Sequence, residues 1–247
     1  MNVKEIYANE WDVSAAYFYN NKYYDLLCNR LHKRSVVLEI GCGTGYSTLA
    51  LLENGLSVIA IDNNSHCISK AKKLITSNGF TIKNSVTELG KNEVCFIQSD
   101  ITESAFESST LPEINCDVVI CWNTGTAWTE KMIKNLVPKM INFNYPLELF
   151  YENPESAYCE LVIWHSCKIA KAKSCPIYIV DRGVMKINRF NDNYYCKLKD
   201  EFLFKKIKYY NDIAKTISKG GRQLVTNGVI NTETELPIIL ISVIMSD

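Results

Sequence analysis

The chain has 247 residues, 47% of them hydrophobic and 22% charged, a globular composition long enough for one large α/β domain or one domain with a sizeable insertion. Its 27 basic and 27 acidic residues cancel, which removes the global field that gathers nucleic acid or an anionic membrane and leaves only a local basic patch open. Ten cysteines occur without a Cys-x-x-Cys pair, and no histidine stands at ligand spacing from a thiol pair, so the thiols read as reduced core residues and no metal is expected.

The N-terminus, MNVKEIYANEWD, has neither a basic start nor an apolar run, so no signal peptide is expected. The longest apolar stretch, Leu236 to Met245, is about half a membrane span. These features predict a cytoplasmic protein without a membrane partner.

Residues Asn9 to Leu31 carry apolar and aromatic positions at helical spacing. Ser35–Ile40 then reads as a buried strand, Gly45–Asn54 as a helix stopped by Gly55, and Val58–Ile61 as a second buried strand. A helix over 64–77 ends at Asn78-Gly79; Glu93–Gln98 and Asp117–Cys121 are the third and fourth strands. The spacing predicts a helix over Thr129–Ile141 interrupted by Pro138, a longer helix over Glu155–Lys173, and a fifth strand over Pro176–Val180. Phe202–Tyr210 and Leu236–Met245 complete the pattern as an antiparallel pair at the sheet edge. Alternation of strand and helix predicts a doubly wound, mostly parallel sheet.

The chemistry concentrates in Glu39-Ile-Gly-Cys-Gly-Thr-Gly45, a strand, a turn and a helix start. Gly41 and Gly43 permit backbone angles that a Cβ opposes and let a ligand approach the main chain. The dinucleotide fingerprint G-x-G-x-x-G would need glycine at position 46, which is tyrosine, and a carboxylate at Glu39 is poorly placed to cradle a pyrophosphate. Two competing readings are a plain tight turn with the acids as helix caps, and a nicotinamide enzyme, which also carries an acid where Asp62 stands.

Glu39–Gly45, Asp62 and Ser99-Asp100 together resemble the cofactor site of class I S-adenosylmethionine-dependent methyltransferases, over residues 35 to about 123. The resemblance implies a Rossmann-like, seven-stranded sheet with an antiparallel last strand and a cap after the fourth strand. By the same resemblance Gly41, Gly43 and Gly45 lie under the methionine and ribose portions, with Glu39 nearby. Asp62, with Asn63 beside it, takes the ribose hydroxyls; Asp100 accepts from the adenine amino group and Ile101 lies against the ring. A carboxylate accepting two hydroxyl protons is strong and selective. The expected organisation is one domain: a helical lid over 1–34, a cofactor core over 35–123, a cap over 124–154 above the acceptor, and the rest of the sheet over 155–247.

The fourth strand ends in Cys121-Trp122-Asn123-Thr124-Gly125, facing the methyl group. Neither an Asn/Asp-Pro-Pro-aromatic motif nor a Pro-Cys dipeptide occurs, which argues against the DNA adenine and cytosine methylases. Asn123 reads as a cofactor or substrate contact, or as a turn residue. Trp122 and Trp128 read as substrate walls or as core. His165, Asp181 and Tyr209 are the candidate bases, none compelling. Lysines and aromatics between Lys197 and Arg222 read as an RNA-contacting face or as a protected edge strand. A small-molecule acceptor is the first expectation, an RNA or protein acceptor the second, and a cofactor-binding sensor without turnover the third; no oligomeric state is legible.

Overall fold

A computed structural model gives the fold, and it describes residues 2–31, 36–126, 129–218, 220–222, 225–226, 229–230 and 233–247. The apolar runs without alternation become β1 (Val36–Ile40), β2 (Ser57–Asp62), a two-residue β3 (Ile82–Lys83), β4 (Val94–Gln98), β5 (Val118–Trp122) and β6 (Ile177–Gly183). These six run parallel to one another. Long strands β7 (Lys206–Ile217) and β10 (Glu235–Ser246) close the sheet, β10 running antiparallel to both β6 and β7. β8 (Val225–Thr226) and β9 (Val229–Ile230) pair separately.

The strand order is β3-β4-β2-β1-β5-β6-β10-β7, so the main sheet has eight strands and not the expected seven. The addition is β3, too short to carry a periodic signal. The chain winds outward from β1 in both directions, which places the reversal between β1 and β5, where open α/β sheets bind ligands.

Helices cover both faces. α1 (Val3–Asn20), α2 (Tyr23–Cys28), α3 (Tyr46–Glu53) and α4 (Ser65–Ser77) lie on one; α5 (Glu130–Asn142), α6 (Leu147–Glu152), α7 (Pro154–Ala172) and α8 (Tyr195–Glu201) lie on the other. Strand residues divide by parity: Val37, Val58, Ala60, Ile120 and Val180 pack toward α1–α4, whereas Leu38, Ile40, Ile59, Val119 and Ile179 pack toward α5–α8. Burial on both faces explains why these strands read as continuous apolar runs.

Three expectations shift. The N-terminal helix begins at Val3, where the Asn2 side chain caps Lys4 N–H at 3.1 Å, and breaks at Lys22, whose φ is +62°. Pro138 does not interrupt α5: one backbone bond is lost, and buried Leu136 and Met140 on either side hold the helix against α7. The strand expected from Phe202 starts at Lys206, because residues up to Phe204 close α8 and bury the Phe204 ring. Strand residue Ser35 and the indole of Trp128 lie outside the described residues. The ten cysteines are all free thiols. Among the described residues no helix is long and apolar enough to cross a membrane, and no cluster of three His, Cys, Asp or Glu side chains is placed to hold a metal.

Candidate active site

Backbone geometry builds the turn after β1. Gly41 and Gly43 hold φ of +76° and +53°, and the Gly41 and Cys42 N–H groups donate to the Ile61 carbonyl at 2.8 and 3.0 Å, tying the turn to the end of β2. Gly45, at φ +91°, faces away: a Cβ there would stand 2.8 Å from Ala71, so this glycine admits α4 against α3. It lines no cavity of the site.

Asp62 ends β2 beneath that turn. Its Oδ2 accepts the Gly43 N–H at 2.9 Å and its Oδ1 accepts the Asn64 N–H at 2.8 Å. Burial lifts its pKa to about 6, against the pull of those two bonds and of Lys4. Each carboxylate oxygen keeps a lone pair for a further donor.

Asp100 and Ile101 follow β4. Asp100 Oδ1 accepts from Thr102 N–H at 2.9 Å and Thr102 Oγ1 at 2.7 Å. The Tyr158 hydroxyl of α7 accepts the Asn63 amide at 2.9 Å, which holds the phenol in the same cavity as Asp100. Ile40, Gly41, Ile61, Asp62, Asp100 and Ile101 share a small cavity with Tyr158 and Val162. Tyr158 and Val162 are one turn apart on α7, a helical pairing that ordinary core packing also produces, which is why they were not singled out from the sequence.

Glu39 stands apart. It is 2% exposed, its carboxylate accepts Thr48 Oγ1 at 2.5 Å and the Ser47 hydroxyl, and it lines neither small cavity. Parity accounts for this: it shares a strand face with Val37, under α3. Burial raises its pKa to about 7, opposed by the two hydroxyl bonds. Its role in the structure is to anchor the first turn of α3 to β1.

Asn123 follows β5 with φ +50°, donates its backbone N–H to the Val180 carbonyl at 2.7 Å, and leaves both side-chain amide atoms buried without a partner. With Gly41, Gly43, Asp62 and Asn63 it lines a second small cavity, closed above by Lys4, Tyr7 and Trp11 of α1. The Trp11 indole lies on the glycine turn so closely that a Cβ on Gly43 would stand 2.3 Å from its Nε1. Tyr7 closes on Gly125, where a Cβ would be 2.8 Å from the phenol oxygen.

The remaining candidates disperse. Trp122 is buried against Tyr178, at 5.3 Å between ring centres, and walls no substrate space. Asp181 is bonded by the Tyr195 hydroxyl of α8, and Tyr209 donates to Asp192 at 2.5 Å on the outer sheet. His165 lines a groove of about 870 Å³ on the far side of α7, with Phe143, Tyr145, Trp164 and Tyr194, rather than the glycine turn. Within segment 124–154, expected as a cap above the acceptor, Thr124 and Gly125 line the small cavities at the glycine turn and α5 lies beside the Asp100 end, where Met132, Asn135 and Leu136 share a cavity with Ser99 and Asp100.

Residues 37–143 match the family model described as a methyltransferase domain. Over that segment the chain is similar to the methyltransferase domain family. Among curated proteins no sequence matches. Among solved structures it is similar to a candidate RNA methyltransferase from Pyrococcus horikoshii, at 11% identity and TM-score 0.52, covering 91% of this chain and 82% of that one. It is also similar to magnesium protoporphyrin IX methyltransferase from Synechocystis PCC 6803, at 14% identity, TM-score 0.46 and coverage of 93% and 81%. A third is precorrin 8w decarboxylase from Methanobacterium thermoautotrophicum, at 16% identity, TM-score 0.47 and coverage of 90% and 88%. The family match points to S-adenosylmethionine as the cofactor against which this site is compared.

The residues fit that cofactor chemically. Carboxylates stand at the ends of β2 and β4 where hydroxyl and amine donors need acceptors, Gly41 leaves its surface bare, and the Asn123 amide is unspent. Over the glycine turn the spaces they line are only about 20 and 40 Å³, while a third, of about 390 Å³, opens beside Asn63 and Asp100. Lys4, Tyr7 and Trp11 of α1 narrow the space at the turn.

Proposed function

We propose that the protein transfers a methyl group to a small-molecule acceptor held in the recess beneath α1, with one domain spanning residues 1–247 and acting in the cytoplasm. When bound, S-adenosylmethionine supplies a methyl carbon already activated for in-line displacement. Asp62, with its two remaining lone pairs, would receive the ribose hydroxyls; Asp100, steadied by Thr102, would receive the adenine amine; Ile101 and Val162 would offer the ring apolar lining. Gly41 and Gly43 admit the amino-acid portion, and Asn63 and Asn123 flank it. Glu39 acts one layer below, fixing α3 and with it the turn. Among the described residues no side chain at the β5 end is placed as a base, so orientation of the acceptor carries the chemistry.

The observation that favours the small-molecule reading is the cover: Tyr7 and Trp11 of α1 roof the glycine turn. The lysine-bearing β7 lies at the far edge of the sheet, with β6 and β10 between it and β5, and its Lys215 is paired with Glu235 at 3.0 Å. α1 must swing out to admit the cofactor, and its polar ties are exchangeable: Lys70 to Asp12 at 2.9 Å, and Arg222 to Glu10 at 3.2 Å. The test is transfer from methyl-labelled S-adenosylmethionine to three pools: small metabolites, total RNA and a protein extract. Label in the small-molecule pool supports the reading. Label confined to RNA or protein contradicts it, and cofactor binding without label in any pool favours a sensor.

A further inference from the structure

Among the described residues under α1, Arg182 carries a charge that has no use in the structure described so far. It follows Asp181 in β6, yet the two do not pair, because adjacent strand residues point to opposite faces. Asp181 turns toward α8, where the Tyr195 hydroxyl takes it; Arg182 shares the face of Tyr178 and Val180 and turns under α1. Its guanidinium lies 5.6 Å from the centre of the Trp11 ring. The titratable groups acting on it are Tyr7, Tyr24, Asp181 and Arg222. Among the described residues it makes no ion pair within 4.0 Å, and its Nη1 is buried without a hydrogen-bond partner.

The other cation in this region, Arg222, is fully engaged, with Glu155 at 2.8 Å and Glu10 at 3.2 Å. Glu155 and Glu10 are thus taken up by Arg222 and not by Arg182. Beside it, the Asn123 amide is also unpartnered, and its backbone is bonded to Val180, two residues before Arg182. A shielded guanidinium N–H and a buried amide N–H on neighbouring strand ends, both left unsatisfied, cost stability that native folds rarely accept without a function. Tryptophan over a guanidinium supplies attraction but no acceptor.

We infer that Arg182, with Asn123, is a receptor for an anionic group, a carboxylate in the first instance, at the acceptor end of the methyltransferase site. The inference rests on the reading of that site given above. The carboxylate has two possible sources, the amino-acid end of the cofactor or the acceptor itself. Arg is suited to either, because its planar fork meets a carboxylate with two parallel bonds.

The experiment compares wild type with Arg182→Met and Arg182→Lys by calorimetry, using S-adenosylhomocysteine, 5′-methylthioadenosine, which lacks the amino-acid end, and benzoate against benzamide. Thermal melts establish that each variant folds. If the cofactor supplies the carboxylate, Arg182→Met weakens S-adenosylhomocysteine roughly tenfold or more and leaves 5′-methylthioadenosine unchanged, with Arg182→Lys in between. If the acceptor supplies it, S-adenosylhomocysteine affinity is unchanged, while benzoate and not benzamide binds saturably to wild type and not to Arg182→Met. Benzoate is titrated with and without S-adenosylhomocysteine. Wild type that binds benzoate but neither nucleoside would retain the anion receptor and sink the methyl-transfer reading. Unchanged S-adenosylhomocysteine affinity together with no benzoate binding overturns the inference.

Discussion

Replacing Glu39 by glutamine should make the protein more stable at neutral pH and change the sign of nothing at acid pH. Glu39 is almost wholly buried, and its pKa rises from an ordinary 4.5 to about 7. Between those values the folded protein keeps the proton and the unfolded chain has lost it. The unfolded state therefore binds fewer protons, and stability falls as pH rises through this window, then levels above about 7. At about 1.36 kcal/mol per pH unit the loss is about 3 kcal/mol. Glutamine keeps the shape, accepts from one of the Ser47 and Thr48 hydroxyls and donates to the other, and does not titrate. The assay is urea unfolding of both proteins at pH values from roughly 4 to 8, with equal slopes required before comparison. The stability of Glu39→Gln relative to wild type should climb by about 3 kcal/mol across that range. A difference independent of pH, or one that falls, would refute the account of Glu39 as a buried anchor for α3.

Three further outcomes follow from the site. Asp62 should tie cofactor affinity to pH: below about 6 the carboxyl is protonated in the free protein, and the Kd of S-adenosylhomocysteine should rise roughly tenfold per pH unit, a dependence that Asp62→Asn loses along with most of the affinity. Trp11→Ala removes the indole from Gly43 and its contact with Arg182; at roughly 1 kcal/mol for that contact, stopped-flow association of S-adenosylhomocysteine should quicken roughly fivefold, and an unchanged rate would show that α1 is no gate. Arg222→Ala cuts the ties to Glu10 and Glu155, a part-exposed pair of bridges worth roughly 1–2 kcal/mol together, so hydrogen exchange should rise along α1 with the sheet unaffected.

Much of this was legible from residue order. β1, β2, β4 and β5 appear within a residue or two of their apolar runs, because strands buried on both faces leave an unbroken hydrophobic signature. The pairing of Gly41 with Asp62 across neighbouring strand ends follows from the same spacing. What the sequence alone left hidden depends on which face a residue takes and on contacts between distant segments. Glu39 is close to the glycine turn in sequence but lies on the α3 face. Asp181 and Arg182 are adjacent in sequence, yet strand alternation sends them to opposite faces. Tyr158, Tyr7 and Arg222 reach the site from α7, α1 and the loop after β7, three segments whose own periodicity says nothing about meeting. α5 sits at the Asp100 end because Leu136 and Met140 bury against α7, a docking preference no local pattern encodes.

The central claim is that the turn after β1, with Asp62 and Asp100, is a nucleoside seat that α1 covers. Calorimetric titration of the purified protein with S-adenosylmethionine, S-adenosylhomocysteine and NAD tests it most directly. The account predicts saturable binding of both sulfur nucleosides with Kd of order micromolar and no heat from NAD. NAD binding with silence from both sulfur nucleosides would contradict it.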